Sequence, residues 1–226
     1  MGKMRIAVPI ISGTMDDAKR CMDRATALGV DIIELRLDYM HYANEKINVE
    51  RLLKYCELPK IVTVRHKDEA GRFIGTEKKR VNYLLEAIAL GAEYVDIELN
   101  HYHELPREKT QIIVSYHNFE NTPSRLVELI YRKILGRNPD IAKIATIANS
   151  IDDSVRMLGL VAQAKHEGRN IIGICMGEEG TMTRVHGPAF GGYLTFASLD
   201  GNSSAPGQLS VGQIRQRWKE LRYNQD

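Results

Sequence analysis

Eight short apolar runs recur along the chain, at residues 5–11, 31–37, 60–66, 94–99, 111–117, 140–146, 171–176 and 193–198. Each is rich in Ile and Val and is bounded by polar or turn residues. That is the pattern of a parallel strand buried on both faces. The longer segments between them carry helix-start and helix-stop residues. Residues 14–28 open with Thr14 as a cap and Asp16 and Asp17 at the positive end, then stop before Gly29. Residues 76–90 repeat the plan between Thr76 and Gly91, and residues 150–167 run from Ser150 to Gly168. Thr122-Pro123 predicts a capped helix start with Pro at the first helical position, ending near Gly136. A last helix is predicted from Ser210 to about Leu221. Between Leu99 and Gln111 there is room only for a stunted helix, and the stretch from Gly177 to Thr183 is similarly short.

Strands that alternate with helices imply parallel pairing through right-handed crossovers. Eight units of about 28 residues account for the 226 residues, the arithmetic of a closed (β/α)8 TIM barrel. The expectation is one α/β domain over residues 1–226. An open doubly wound sheet is the alternative. It usually carries a Gly-rich phosphate turn, and neither GxGxxG nor GxxxxGK[ST] occurs.

Charge changes the picture little. The 31 Lys and Arg against 29 Asp and Glu leave +2, which argues against a nucleic-acid partner. Cys21, Cys56 and Cys175 form no CxxC and no Cys/His pair at zinc spacing, as expected of free thiols in a reducing compartment. No apolar stretch approaches the ~18 residues of a membrane span, and the run after Arg5 is too short for a signal-peptide core. A soluble cytoplasmic protein is expected.

In such a barrel the chemistry sits at the carboxyl ends of the strands. Glu34 and Arg36, two apart, share one side of the second strand. Arg65 and His66 end the third, with Asp68 and Glu69 just beyond. Ser115, Tyr116 and His117 end the fifth. Glu178, Glu179 and Arg184 follow the seventh, and the Gly/Ser/Pro-rich residues 200–208 after the eighth read as a mobile loop over the site. Lys143 stands in the middle of an apolar strand. It either pairs with a carboxylate or serves as an imine-forming amine, a chemistry that lysine can perform and arginine cannot. Withdrawal from water favours the neutral amine that attacks a ketone. His117 is either a strand-end histidine bonded to backbone or a proton-transfer group. His41, His101, His103, His166 and His186 read as surface residues. Arg36, Arg65 and Arg184 on one rim point to an anionic substrate, a carboxylate above all. The alternative for each is an ion pair with Glu34, Glu69 or Glu178.

Seven segments, in order and over nearly the whole chain, are similar to one family. They are Glu34-Leu-Arg-Leu-Asp38, Thr63-Val-Arg65 with Glu69, Ser115-Tyr-His117-Asn-Phe-Glu-Asn-Thr-Pro123, Ala142-Lys143-Ile-Ala145, Gly180-Thr-Met-Thr-Arg184, Leu194-Thr-Phe-Ala197 and Ser204-Ala-Pro-Gly-Gln208. On these the chain resembles the type I 3-dehydroquinate dehydratases, imine-forming lyases at the third step of the shikimate pathway to chorismate and the aromatic amino acids. The resemblance implies a (β/α)8 barrel, usually a homodimer, that takes 3-dehydroquinate and needs no metal or organic cofactor. It implies that Lys143 forms the imine, that His117 transfers protons and that Glu69 orients His117. It further implies that Glu34, Arg36 and Arg65 line the pocket, that Arg184 grips the substrate carboxylate, and that Ser204 and Gln208 touch substrate from a closing loop. Four positions depart from the family pattern. Asn118 stands where Asp is expected and Thr183 where Ser is. Pro9 replaces a small hydroxyl residue, and His66 replaces Ser, which adds a second ionisable group near the rim.

Two other readings remain open. A class I aldolase also uses a barrel lysine imine, but commonly needs a phosphate nest near the seventh strand, where Glu178 and Glu179 lie instead. A non-catalytic barrel that binds a small acid would be expected to lack one of Lys143, His117 and Glu69.

Overall fold

The structure, a computed structural model, describes residues 3–124, 126–199 and 205–223. Eight strands form one parallel sheet: β1 (Ile6–Ile10), β2 (Ile32–Arg36), β3 (Lys60–Thr63), β4 (Tyr94–Glu98), β5 (Gln111–Asn118), β6 (Ile141–Ile147), β7 (Ile171–Met176) and β8 (Thr195–Phe196). They pair in the order β7-β6-β5-β4-β3-β2-β1-β8. The Tyr193 amide donates to the Ile171 carbonyl at 2.7 Å and links the two ends of that order, so the sheet is a nearly closed (β/α)8 barrel.

Helices α1 (Met15–Ala27), α2 (Leu37–Tyr42), α3 (Val49–Leu53), α4 (Glu77–Ala89), α5 (Leu126–Leu135), α6 (Ile151–His166), α7 (Thr181–His186) and α8 (Val211–Glu220) surround it. Local chemistry sets their ends. The Thr14, Thr76 and Ser210 hydroxyls accept the Asp17, Lys79 and Gln213 amides at 3.2, 3.3 and 3.2 Å. These caps satisfy donors that the helix itself leaves free. Gly29, at φ 64°, ends the first helical unit in the left-handed conformation that only glycine adopts freely.

Several elements differ in detail from the expectation, among them β3, which stops at Thr63, so that Arg65 and His66 lie just past the strand rather than at its end. The described part of α5 begins at Leu126, and the Val127 amide reaches back to the Pro123 carbonyl at 3.2 Å, so the expected start at Thr122-Pro123 falls partly outside the described residues. The buried Thr122 hydroxyl lies on β6, 2.7 Å from both the Thr146 hydroxyl and the Ile147 carbonyl, and so satisfies a strand-end acceptor. Between β2 and β3 there are two short helices rather than one, α2 starting directly on Arg36. β8 keeps only two residues of its apolar run. The unit after β4 is, as expected, a single 3-10 turn, Leu99–His101.

The apolar core has two parts. One packs the helices on the outside of the barrel. The other fills the barrel and includes Ala7, Ile32, Ile61, Ile113, Ile141, Ile172 and Phe196. Each such aliphatic side chain contributes about 1.5–3 kcal/mol by leaving water. Side chains two apart on a strand share a face. One step beyond this apolar layer, toward the carboxyl ends, the inward positions therefore become Glu34, Thr63, Asp96, Ser115 and Lys143. A further step brings Arg36, Arg65, Glu98 and His117. The interior changes from greasy to charged along the strands, and the charged end is where the site lies.

Candidate active site

A cavity with about 100 Å³ of space for water, open to solvent, lies at the carboxyl ends of the strands. Glu34, Arg36, Arg65, Glu69, His117, Lys143, Arg184 and Gln208 all line it. These are eight of the nine residues expected there. The ninth, Ser204, and with it residues 200–204 of the expected loop, lie outside the described residues.

Lys143 projects from the middle of β6 and is buried. Its Nζ is 2.8 Å from Asp96 Oδ2, 3.4 Å from Glu34 Oε1, and 4.6 Å from the centroid of the Phe196 ring. Asp96 connects two cations, because its Oδ1 is 2.9 Å from Arg65 Nη2 and also accepts the Ser115 hydroxyl at 2.6 Å. Burial works against the Asp96 charge, but Arg65 and then Lys143 overcome it and hold this carboxyl well below the usual carboxylate range. Burial likewise opposes the Arg65 charge, and Asp96 and Glu98 raise its basicity above the ordinary value.

Arg65 extends the network outward. Its Nη1 donates to Ser115 Oγ at 2.8 Å and lies 3.1 Å from Glu98 Oε1. Glu98 also accepts from Arg80 of α4 at 2.5 Å, and the Arg80 side chain is completely buried. The helix layer thus braces the charged floor of the pocket.

His117, near the end of β5, faces a carboxylate. Its Nδ1 is 2.7 Å from Glu69 Oε2, and the same oxygen accepts the His117 amide at 3.1 Å. Glu69 sits on the 3-10 turn Lys67–Glu69 after β3, and its Oε1 accepts from Asn100 Nδ2 at 3.2 Å. Burial raises the Glu69 carboxyl to about 7. Burial, then the positive Arg65 and Lys143, push the His117 imidazole well below its ordinary 6.5. His117 Nδ1 is engaged to Glu69, which leaves Nε2 as the other ring nitrogen.

The three arginines differ. Arg36 makes a bidentate pair with Asp38, both contacts 2.8 Å, and Asp38 in turn accepts the Arg72 amide. The ion pairs considered from sequence, with Glu34, Glu69 or Glu178, are replaced by these: Asp38 for Arg36, and Asp96 with Glu98 for Arg65. Asp38 lies in the first turn of α2, which follows Arg36 directly, and Asp96 and Glu98 lie on β4, the strand beside β3. Arg184, on α7, is buried, and among the described residues it meets no carboxylate. Two backbone carbonyls, of Phe196 and Pro206, lie 3.5 Å from its Nη atoms, and its Nε has no hydrogen-bond partner among the described residues. Burial pushes this guanidinium down to about 10. It is a buried cation whose counter-charge has to come from outside the described residues.

The segment after β8 docks on the turn after β7 through the Gly177 amide, which donates to the Pro206 carbonyl at 3.1 Å. Gly207 makes that approach possible. It has φ 68°, and a Cβ there would lie 2.2 Å from the Gly177 carbonyl oxygen. Gln208 reaches the cavity from this seat.

Sequence reasoning missed Asp96, Glu98 and Asp38 as members of the charged floor. The signal was present: Asp96 and Glu98 stand two apart in β4, as Glu34 and Arg36 do in β2. The five histidines that read as surface residues divide, and His186 is half-buried with its Nδ1 2.7 Å from the Tyr223 hydroxyl. His103 and His166 are exposed, while His41 stacks on Phe73 and His101 on His66 at ring distances of 4.5 and 3.6 Å.

A pocket of this kind at the carboxyl ends of a parallel barrel defines a (β/α)8-barrel enzyme. The family model for "Type I 3-dehydroquinase" matches residues 6–224. The 3-dehydroquinate dehydratase of Methanocaldococcus jannaschii is 38% identical over 225 residues, covering 95% of this chain and 97% of that protein. The enzyme of the same name from Methanococcus maripaludis strain C5 is 37% identical over 93% of this chain and 97% of its own. Among solved structures, 3-dehydroquinate dehydratase from Geobacillus kaustophilus superposes with a TM-score of 0.85 at 26% identity, over 100% of this chain and 93% of that one. The chain belongs to the type I 3-dehydroquinase family. Among the described residues no helix is long and apolar enough to cross a membrane.

Proposed function

We propose that this protein is a hydro-lyase that dehydrates 3-dehydroquinate to 3-dehydroshikimate through an imine on Lys143. The observation that carries the reading is one cavity holding a barrel lysine, a buried His117–Glu69 pair and a buried arginine that meets no carboxylate among the described residues.

The amine nitrogen of Lys143 adds to the substrate ketone, and loss of water leaves a protonated imine. That imine is an electron sink, so the adjacent carbon gives up its proton more readily. The electron pair then expels the β-hydroxyl, which leaves as water once protonated. Hydrolysis of the imine releases the enone and returns the amine. His117 transfers the protons through Nε2, and Glu69 fixes its ring through Nδ1. General acid–base assistance of this kind contributes about 10²–10⁴-fold. Asp96 and Glu34 hold Lys143 at the floor of the pocket, where the ketone has to arrive.

Arg184 takes the substrate carboxylate. A guanidinium already stripped of water gains most from an anion that supplies its missing partner. Glu34, Arg36, Arg65 and Gln208 offer donors and acceptors to the substrate hydroxyls, and Ser204 belongs to the same loop as Gln208. Family membership supports a homodimer and one barrel domain over residues 1–226. The free Cys21, Cys56 and Cys175 suit a reducing cytoplasm. Ultraviolet absorbance at the conjugated enone tests the activity directly: product should accumulate from 3-dehydroquinate, and no absorbance change with well-folded protein would overturn the reading.

A further inference from the structure

Outside the pocket, on the far side of the turn that carries Glu69, three side chains converge without a role in the reaction. His66 Nδ1 is 3.4 Å from Asp68 Oδ2, and His101 Nε2 is 3.3 Å from the same oxygen. The three ligand atoms all lie within 4.8 Å of one another. The two imidazoles stack, with centroids 3.6 Å apart and planes 26° apart. We infer that His66, Asp68 and His101 form a binding site for a divalent transition-metal ion of the zinc class.

The distances fit. A tetrahedral ion with bonds of about 2.0–2.1 Å holds its ligands about 3.4 Å apart. Both imidazole-to-carboxylate edges already have that length, and the two stacked rings have to turn out of parallel for both nitrogens to face one ion. The donor set also fits, since two imidazole nitrogens and one carboxylate suit zinc, cobalt, nickel or copper. Calcium and magnesium prefer oxygen alone.

The ligands sit on firm supports. The His66 amide donates to Glu98 Oε1 at 2.8 Å, and the His101 carbonyl accepts from buried Arg80 at 3.4 Å. Such bracing by a second layer keeps a site in shape before the ion arrives. The ion would take the His66 Nδ1 lone pair that now receives the Asp68 amide at 3.2 Å, a long contact at an exposed turn. Asp68 is 59% exposed, which leaves the remaining coordination positions to water.

The site also has a structural consequence. One ligand pair flanks the turn that presents Glu69, and His101 neighbours Asn100, which binds Glu69 Oε1. An ion there ties together the two turns that hold the partner of His117. The ion itself takes no part in the chemistry, and the site stands whether or not the dehydratase reading holds. Sequence spacing hides it, because His101 is far along the chain from the His66-x-Asp68 pair.

The test is titration of the metal-stripped full chain with Zn²⁺ and Ni²⁺, followed by calorimetry and by thermal unfolding. One saturable site and a dose-dependent rise in Tm are expected. The double variant His66→Ala/His101→Ala should bind at least tenfold more weakly and lose the rise, whereas His103→Ala should match the parent. Asp68→Ala, a change at an exposed side chain, should show the same weakening and keeps the test open if the double variant does not fold. No saturable binding to the parent, or undiminished affinity in Asp68→Ala or the folded double variant, would overturn the assignment.

Discussion

Asp96 Oδ2 lies 2.8 Å from Lys143 Nζ while Asp96 Oδ1 lies 2.9 Å from Arg65 Nη2, so one fully buried carboxylate positions both the amine and a wall of the pocket. Breaking a buried charge network by removing one partner is costly, because the remaining charges stay buried. Asp96→Asn should destabilise the protein by about 3 kcal/mol. It should also lower kcat about 10²-fold, the usual cost of misplacing a reacting group. Urea unfolding and steady-state kinetics check both; unchanged kcat would show that Lys143 does not depend on Asp96 for its placement.

His117 has to be neutral to accept a proton. Its imidazole is held well below 6.5 by burial and by Arg65 and Lys143. Activity should therefore fall with decreasing pH only below the ordinary histidine range. His117→Ala should lose about 10²–10⁴-fold in kcat and lose that acid limb. A pH profile measured on both proteins decides it, and an acid limb that survives in the variant would assign the ionisation to another group.

Glu69 titrates in the opposite sense. Its carboxyl is raised from 4.5 to about 7, mainly by burial, which corresponds to roughly 3 kcal/mol. A raised acid stabilises the fold fully below its unfolded value, and that contribution is lost as pH rises through the folded value. Glu69→Gln does not ionise. Its stability relative to the parent should therefore improve between about pH 4.5 and 7. Denaturant midpoints across that window check the sign, and a gap that stays constant would contradict it.

Arg184 carries a buried charge and meets no carboxylate among the described residues. Arg184→Met should leave stability unchanged or raise it, since an unpaired charge is removed from a buried position. KM should nonetheless rise by about 10–100-fold, the worth of a charge-assisted pair with the substrate. A variant that is destabilised with KM intact would make Arg184 a structural residue.

The strands were legible because a barrel strand buried on both faces is an unbroken apolar run, and β1 to β7 appear within one residue of where that pattern puts them, except that β3 stops at Thr63, three residues short of its run. Most pocket residues were legible for a related reason: a polar group at the end of such a run has few other places to go. Asp96 and Glu98 escaped because they interrupt an apolar run, where sequence alone does not say which face they take; only the register with β3 and β5 turns them inward. The stacking of His66 on His101 is a contact between two separate turns, and no local pattern announces it.

The central claim is the imine on Lys143. Sodium borohydride added during turnover of 3-dehydroquinate should reduce the imine to a stable amine. Intact-mass analysis should then show one substrate-derived adduct per chain, mapped by peptide sequencing to Lys143 and absent from Lys143→Ala. Turnover with no trapped adduct, or an adduct on any other residue, would contradict the account.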